Sequence, residues 1–207
     1  MMNLKRGVVA LALAGIALLL ASVSARAGVV FDNLTAVPGG QDLFKSKGPL
    51  ADSFSTGAGA STLTDVKVRL TGSSTSTGSV SVSLLADNAT APGAFIAALG
   101  SISASSLGFD VIYDFGGLSN VLAGSTRYWI ELTSSNESAE WFWSTDLTGT
   151  GVSSEHFLFG GSVFSNSAVG NAPYLMRVTT SSVPEPGTLA LVGLALAGVG
   201  VIRRRKI

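Results

Sequence analysis

Apolar and polar residues alternate with a period of two along most of the middle of the chain. Val66, Val68 and Leu70 fall on one face, Lys67 and Arg69 on the other. Val80, Val82 and Leu84 alternate with Ser79, Ser81 and Ser83. Tyr128, Ile130 and Leu132 alternate with Trp129 and Glu131, and Tyr174, Met176 and Val178 with Leu175 and Arg177. Phe109, Val111, Tyr113 and Phe115 alternate with Asp110 and Asp114, while Trp141 and Trp143 share a face across Phe142. Successive side chains of an extended strand point to opposite sides, so this pattern predicts half-buried β-strands. No 3.6-residue period is sustained; residues 94–99 alone also read as a short helical turn. Turn formers separate the runs: Gly72-Ser73-Ser74, Asp87-Asn88 through Pro92-Gly93, Gly116-Gly117, residues 149–151 and Gly160-Gly161. The fold class expected is all-β: an antiparallel β-sandwich, jelly-roll-like, of about eight to ten strands. Ser and Thr are abundant, but ten Phe and three Trp argue against a disordered stalk.

Two apolar stretches at the ends break the pattern. Lys5 and Arg6 precede an uncharged run over residues 8–21, and Ala25-Arg26-Ala27 is a small-x-small site before Gly28. These are the three parts of a secretory signal, with cleavage at Ala25, Ala27 and Gly28. An uncleaved anchor is the alternative, but a 14-residue helix spans about 21 Å at ~1.5 Å per residue, against a hydrocarbon core of ~30 Å. The C-terminal end reads Val183-Pro184-Glu185-Pro186-Gly187, then an uncharged run over residues 189–202, then Arg203, Arg204, Arg205 and Lys206. Two prolines around a glutamate hold the chain extended. The run is a marginal membrane span, and the basic cluster stops translocation on the cytoplasmic side. The expected organisation is a signal peptide over residues 1–27, a β-sandwich over 28–182 and a sorting segment over 183–207. An N-terminal signal helix and a short C-terminal transmembrane helix would flank the sandwich.

The ordered triple of Pro184, Glu185 and Pro186, the apolar run and the Arg-rich tail resembles the PEP-CTERM sorting signal of Gram-negative bacteria that make extracellular polysaccharide. The resemblance implies recognition by an exosortase, a membrane-embedded enzyme that processes the protein near the motif. An ordinary tail anchor with a proline-rich stalk is the alternative. In the middle, Leu50-Ala51-Asp52-Ser53-Phe54, Leu63-Thr64-Asp65-Val66, Pro92-Gly93, residues 122–130 and the strand from Trp141 to Trp143 resemble the choice-of-anchor R group of bacterial surface domains. That group supplies no catalytic residues to carry over.

Charge sharpens the picture. The chain holds 13 basic and 13 acidic residues, but seven of the basic ones lie in the ends. Residues 28–182 carry six Lys/Arg against twelve Asp/Glu, and an acidic body argues against nucleic acid as a partner. The mean hydropathy of +0.47 is raised by the two ends. The absence of cysteine excludes disulfides, thiol nucleophiles and Fe–S clusters, and one histidine leaves no poly-His zinc site.

Candidate chemistry is sparse. Glu155-His156 is the one acid–histidine pair in sequence, and no G-x-S-x-G marks a serine nucleophile. No two of the acids stand out as a glycosidase pair. The expectation is therefore that the chain is not an enzyme and uses no cofactor. Asp87-Asn88 with Asp65 or Asp114 could offer oxygens to calcium, but no D-x-D-x-D-G loop is present, and no metal site is expected. If Trp141 and Trp143 point inward, Trp129 or Phe142 would face outward and could stack on a sugar ring. The reading is an exported cell-envelope or extracellular-matrix protein, structural or adhesive and non-catalytic; the alternative is a carbohydrate-binding module for the exopolysaccharide matrix. Its expected partners are signal peptidase, an exosortase, the inner membrane in transit and extracellular polysaccharide.

Overall fold

Sheet formation follows the alternation closely. The computed structural model describes residues 27–73, 77–135, 138–168, 170 and 172–183. Among them are twelve strands: β1 (Ala27–Asp32), β2 (Gly40–Leu43), β3 (Leu50–Ser55), β4 (Ser61–Thr71), β5 (Ser79–Asn88), β6 (Ala91–Ser103), β7 (Val111–Leu122), β8 (Arg127–Ser134), β9 (Glu140–Trp143), β10 (His156–Phe159), β11 (Ser162–Ser165) and β12 (Met176–Ser182). One helical turn, α1 (Phe44–Lys47), links β2 to β3. Every strand pairing is antiparallel.

The strands form two sheets, an antiparallel sandwich. The second runs β11-β10-β3-β8-β5-β6. The first is organised on β4. Val68 pairs with both Met176 and Tyr113, so β12 and β7 flank β4 on opposite sides. Leu70 pairs with Val111 and Trp141, so β9 takes over from β12 at the far end of β4. Outside β12 lies β1, and outside β9 lies β2. These strands make up one compact unit, Ala27–Ser182.

The inward faces close a single main core. Val66, Val68, Leu70, Val80, Val82, Leu84, Ile130, Leu132, Met176 and Val178 are all fully buried in it. Each side chain of this size removed from water contributes about 1.5–3 kcal/mol, so the alternation itself carries the drive to form the two sheets.

Three expectations are corrected. The strands number twelve, because β2, β10 and β11 are only four residues long and escape a reading by alternation. Residues 94–99 are not helical but lie inside β6, whose ladder with β5 absorbs three register shifts. Those irregularities hide the period-2 signal from a reading of spacing alone. Phe109 precedes β7 and is 81% exposed rather than sharing an inward face with Phe115. The expected signal helix and C-terminal transmembrane helix lie outside the described residues. Among the described residues no helix is long and apolar enough to cross a membrane.

Candidate aromatic cleft

Where β2 and β9 meet the β10–β11 hairpin, the sandwich opens a cleft of about 270 Å³. Four rings and one carboxylate line it: Trp143 from β9, Phe157 and Phe159 from β10, Phe164 from β11, and Asp42 from β2. Gly170 and Ala172 complete the wall. Local sequence dictates the placement. Gly40 pairs with Trp143 across the β2–β9 ladder, and a Cβ on Gly39 or Gly40 would come within 2.2 or 2.5 Å of the indole. The large ring therefore lies on bare backbone. Phe157 pairs with Phe164 across the hairpin, their rings stacked at 5.4 Å. Gly160 donates its N–H to the Lys47 carbonyl at 2.9 Å, tying α1 to the hairpin turn. The Lys47 ammonium then stands 5.1 Å over the Phe159 ring at the rim.

Asp42 is the polar group of the cleft. Tyr174 Oη donates to its Oδ2 at 3.0 Å. Burial pushes its carboxyl above the ordinary aspartate range, against the Tyr174 hydrogen bond, the Lys47 charge and a weaker hydrogen bond from Trp143. Tyr174 in turn stacks on Trp141 at 4.5 Å and meets Phe157 edge-on at 6.0 Å. Its backbone N–H donates to Asp52 Oδ2 at 2.9 Å. Asp52 is fully buried, and desolvation raises its carboxyl well above the usual range despite the Asn166 and Tyr174 hydrogen bonds.

Beside Asp52 the chain buries a second acid. Glu155 Oε2 accepts from Ser53 Oγ at 2.6 Å and from Arg127 Nε at 2.8 Å. Ser53 Oγ accepts the His156 backbone N–H at 2.9 Å. The hydroxyl is thus committed to Glu155 and to a backbone amide, and the His156 ring takes no part in either bond. Burial, ahead of the Arg127 charge, lowers the His156 pKa.

Trp129 and Phe142 are not exposed, which corrects the expectation that one of them offers a ring to sugar. Trp129 is fully buried in a satellite cluster with Ala51, Leu85 and Leu158, and its indole N–H donates to Asp87 Oδ1 at 2.8 Å. Phe142 is 5% exposed, under the Arg69 guanidinium at 5.6 Å. Leu85, Leu158 and the Asp87 carboxylate close over the one ring, and the Arg69 side chain lies over the other. The half-buried ring of this group is Trp143. The Gly39-Gly40 pair and the density of Phe between residues 157 and 164 are the sequence signals that could have found the cleft.

The calcium candidates are also separated. Asp87 lies on β5 of one sheet, holding Trp129 and the Thr90 N–H. Asp65 and Asp114 lie on β4 and β7 of the other, flanking Lys67. Among the described residues no three acidic, His or Cys side chains converge as a metal site. Burial, then the Asp114 hydrogen bond and charge, push Asp65 up to about 6, while Lys67 opposes the shift. A folded-state pKa above the unfolded value of about 4 means the fold favours the protonated acid. That stabilisation is complete below about pH 4 and lost as pH rises through about 6. Asp65→Asn stays neutral throughout, so its melting temperature is expected to gain on the wild type between those two values. A constant difference across that window would contradict the assignment.

Of the expected processing residues, Ala27 and Gly28 belong to β1, paired with Ser181 and Thr180. Ala25, Pro184, Glu185, Pro186, Arg203, Arg204, Arg205 and Lys206 lie outside the described residues.

Known proteins add two findings. Residues 182–206 match the PEP-CTERM protein-sorting motif. The motif marks the chain as an exported protein, sorted by an exosortase to the cell surface. It leaves the resemblance of the middle to the choice-of-anchor R group resting on sequence pattern. No curated protein matches the chain in sequence. Among solved structures, a clostridial cysteine protease, Cwp84 after propeptide cleavage, is similar over 77% of this chain and 40% of its own, at TM-score 0.54 and 11% identity. A structure of the cysteine protease and lectin-like domains of Cwp84, from Clostridium difficile, is similar over 69% of this chain and 36% of its own, at TM-score 0.48 and 10% identity. The chain thus spans about two fifths of the solved chain it matches. At that identity the likeness shows the fold alone. The expectation that the chain is not an enzyme is withdrawn, since two fifths of a cysteine protease chain share this fold. With no cysteine in this sequence, the likeness supplies no thiol nucleophile here and establishes no activity.

Proposed function

We propose that the β-sandwich is an adhesive module that an exosortase delivers to the cell envelope or extracellular matrix. The observation that carries the reading is the sorting motif at residues 182–206. Signal peptidase would cut between Ala27 and Gly28, and the exosortase near Pro184, Glu185 and Pro186, with Arg203, Arg204, Arg205 and Lys206 holding the segment in the inner membrane. An adhesive role needs a contact surface, and the aromatic cleft supports one. The acidic body, repelled by anionic envelope surfaces, favours contact through specific groups over general charge attraction.

Intact-mass measurement of the protein purified from the envelope tests the delivery. The expected product begins at Gly28 and ends upstream of residue 189. A full-length mass, or a folded body recovered from the cytosol with both ends retained, would overturn the proposal.

A further inference from the structure

We infer that the cleft between β2, β9 and the β10–β11 hairpin binds a neutral pyranose unit of a polysaccharide, with Trp143 as its stacking platform and Asp42 as its hydroxyl acceptor. The inference rests on the adhesive reading and gives it a ligand class. Its volume of about 270 Å³ falls just below the range of about 300–1,000 Å³ for drug-sized ligands, which suits one sugar ring in a chain that continues into solvent. Trp143 is pinned on one face by the Gly39-Gly40 backbone, so its orientation is set before any ligand arrives. An aromatic face carries negative charge density, and the axial C–H groups of a pyranose present the complementary partial positive charge. Phe164 is 38% exposed and backed by Phe157, extending the apolar wall outward.

Asp42 discriminates among ligands. A carboxylate offers about four acceptor sites. Tyr174 takes one at 3.0 Å, so acceptor sites remain for neighbouring hydroxyls. Aromatic rings beside a carboxylate also suit an organic cation. Here Lys47 already stands over Phe159 at 5.1 Å, and its ammonium would repel a second cation from the mouth. Lys47 and Asp42 balance each other's charge, which leaves a neutral polyhydroxylated ring as the better fit.

The full chain in detergent is titrated with maltotetraose, cellotetraose, mannotetraose and N-acetylglucosamine oligomers, with tetramethylammonium alongside. Tryptophan fluorescence and saturation-transfer NMR read binding. Saturable binding of at least one neutral oligosaccharide is expected. Trp143→Ala and Phe164→Ala should each weaken it about tenfold, equivalent to about 1.4 kcal/mol, and Asp42→Asn should weaken it while leaving the melting temperature near that of the wild type. The exposed Phe164 keeps the test valid if Trp143→Ala unfolds the protein. No binding by any neutral sugar, binding that ignores Phe164→Ala and Asp42→Asn, or saturation by tetramethylammonium alone would overturn the inference. Retention of the purified protein on envelope preparations, unaltered by the cleft variants, would sink the sugar site while sparing the adhesive reading; loss of retention for the wild type would sink the adhesive reading itself.

Discussion

Trp141→Ala is expected to destabilise the body by about 3–5 kcal/mol, the range for truncating a large core aromatic. The indole is fully buried. It stacks on Tyr174 at 4.5 Å and donates its N–H to the Leu175 carbonyl at 3.1 Å. Its backbone pairs with Leu70 where β9 joins β4. The substitution therefore leaves a cavity, strips the Leu175 carbonyl of one of its two donors, the Arg69 N–H remaining, and loosens Tyr174, the hinge between Asp42 and Asp52. For a body of this size the loss corresponds to about 6–20 °C in melting temperature, read by circular dichroism or calorimetry. A fall of less than ~2 °C would show that the core relaxes around the gap.

Arg127→Met is expected to cost about 2–3 kcal/mol. Removing one partner of a fully buried pair costs about 3–5 kcal/mol because the other charge is stranded. The Arg127 side chain keeps 22% of its surface in contact with solvent, which lowers the figure. Glu155 is only 2% exposed and would retain the Ser53 hydroxyl as its remaining donor. Pairing Arg127→Met with Glu155→Gln should recover part of the loss, since the stranded charge then disappears. Chemical denaturation of the two single variants and the double variant measures that coupling, and strict additivity would refute it.

The residues that alternate cleanly in the sequence keep one face to the core even where their ladders shift register. β4, β5, β8 and β12 each place one fully buried row against the core, and the period-2 pattern reads straight through to the sandwich. The pattern fails where a strand is irregular or has a second covering layer. β6 conceals its alternation behind register shifts. Trp129 sits on an outward face, yet Leu85, Leu158 and the Asp87 carboxylate close over it. Alternation assigns faces, but it does not say what lies on top of each face. The cleft was harder still, because Asp42, Trp143 and Phe164 come from three separate strands and meet only through pairing at the open edge of two sheets. The C-terminal end was legible for the opposite reason: a sorting motif is read as linear chemistry, with no tertiary contact required.

The register along β4 has a mechanical consequence. Ser61 pairs with Ser182, and Ala27 pairs with Ser181, so the polypeptide enters and leaves the body at one end of β4. Trp141 joins at Leu70, toward the other end, about 30 Å away at ~3.3 Å per residue. A force applied at the C-terminal end of the body enters through β12, which is laddered to β1 on one side and β4 on the other. Extraction must shear two ladders together instead of peeling a free edge. Both ends of the described body thus lie at the foot of β4, with the β9 junction near its opposite end.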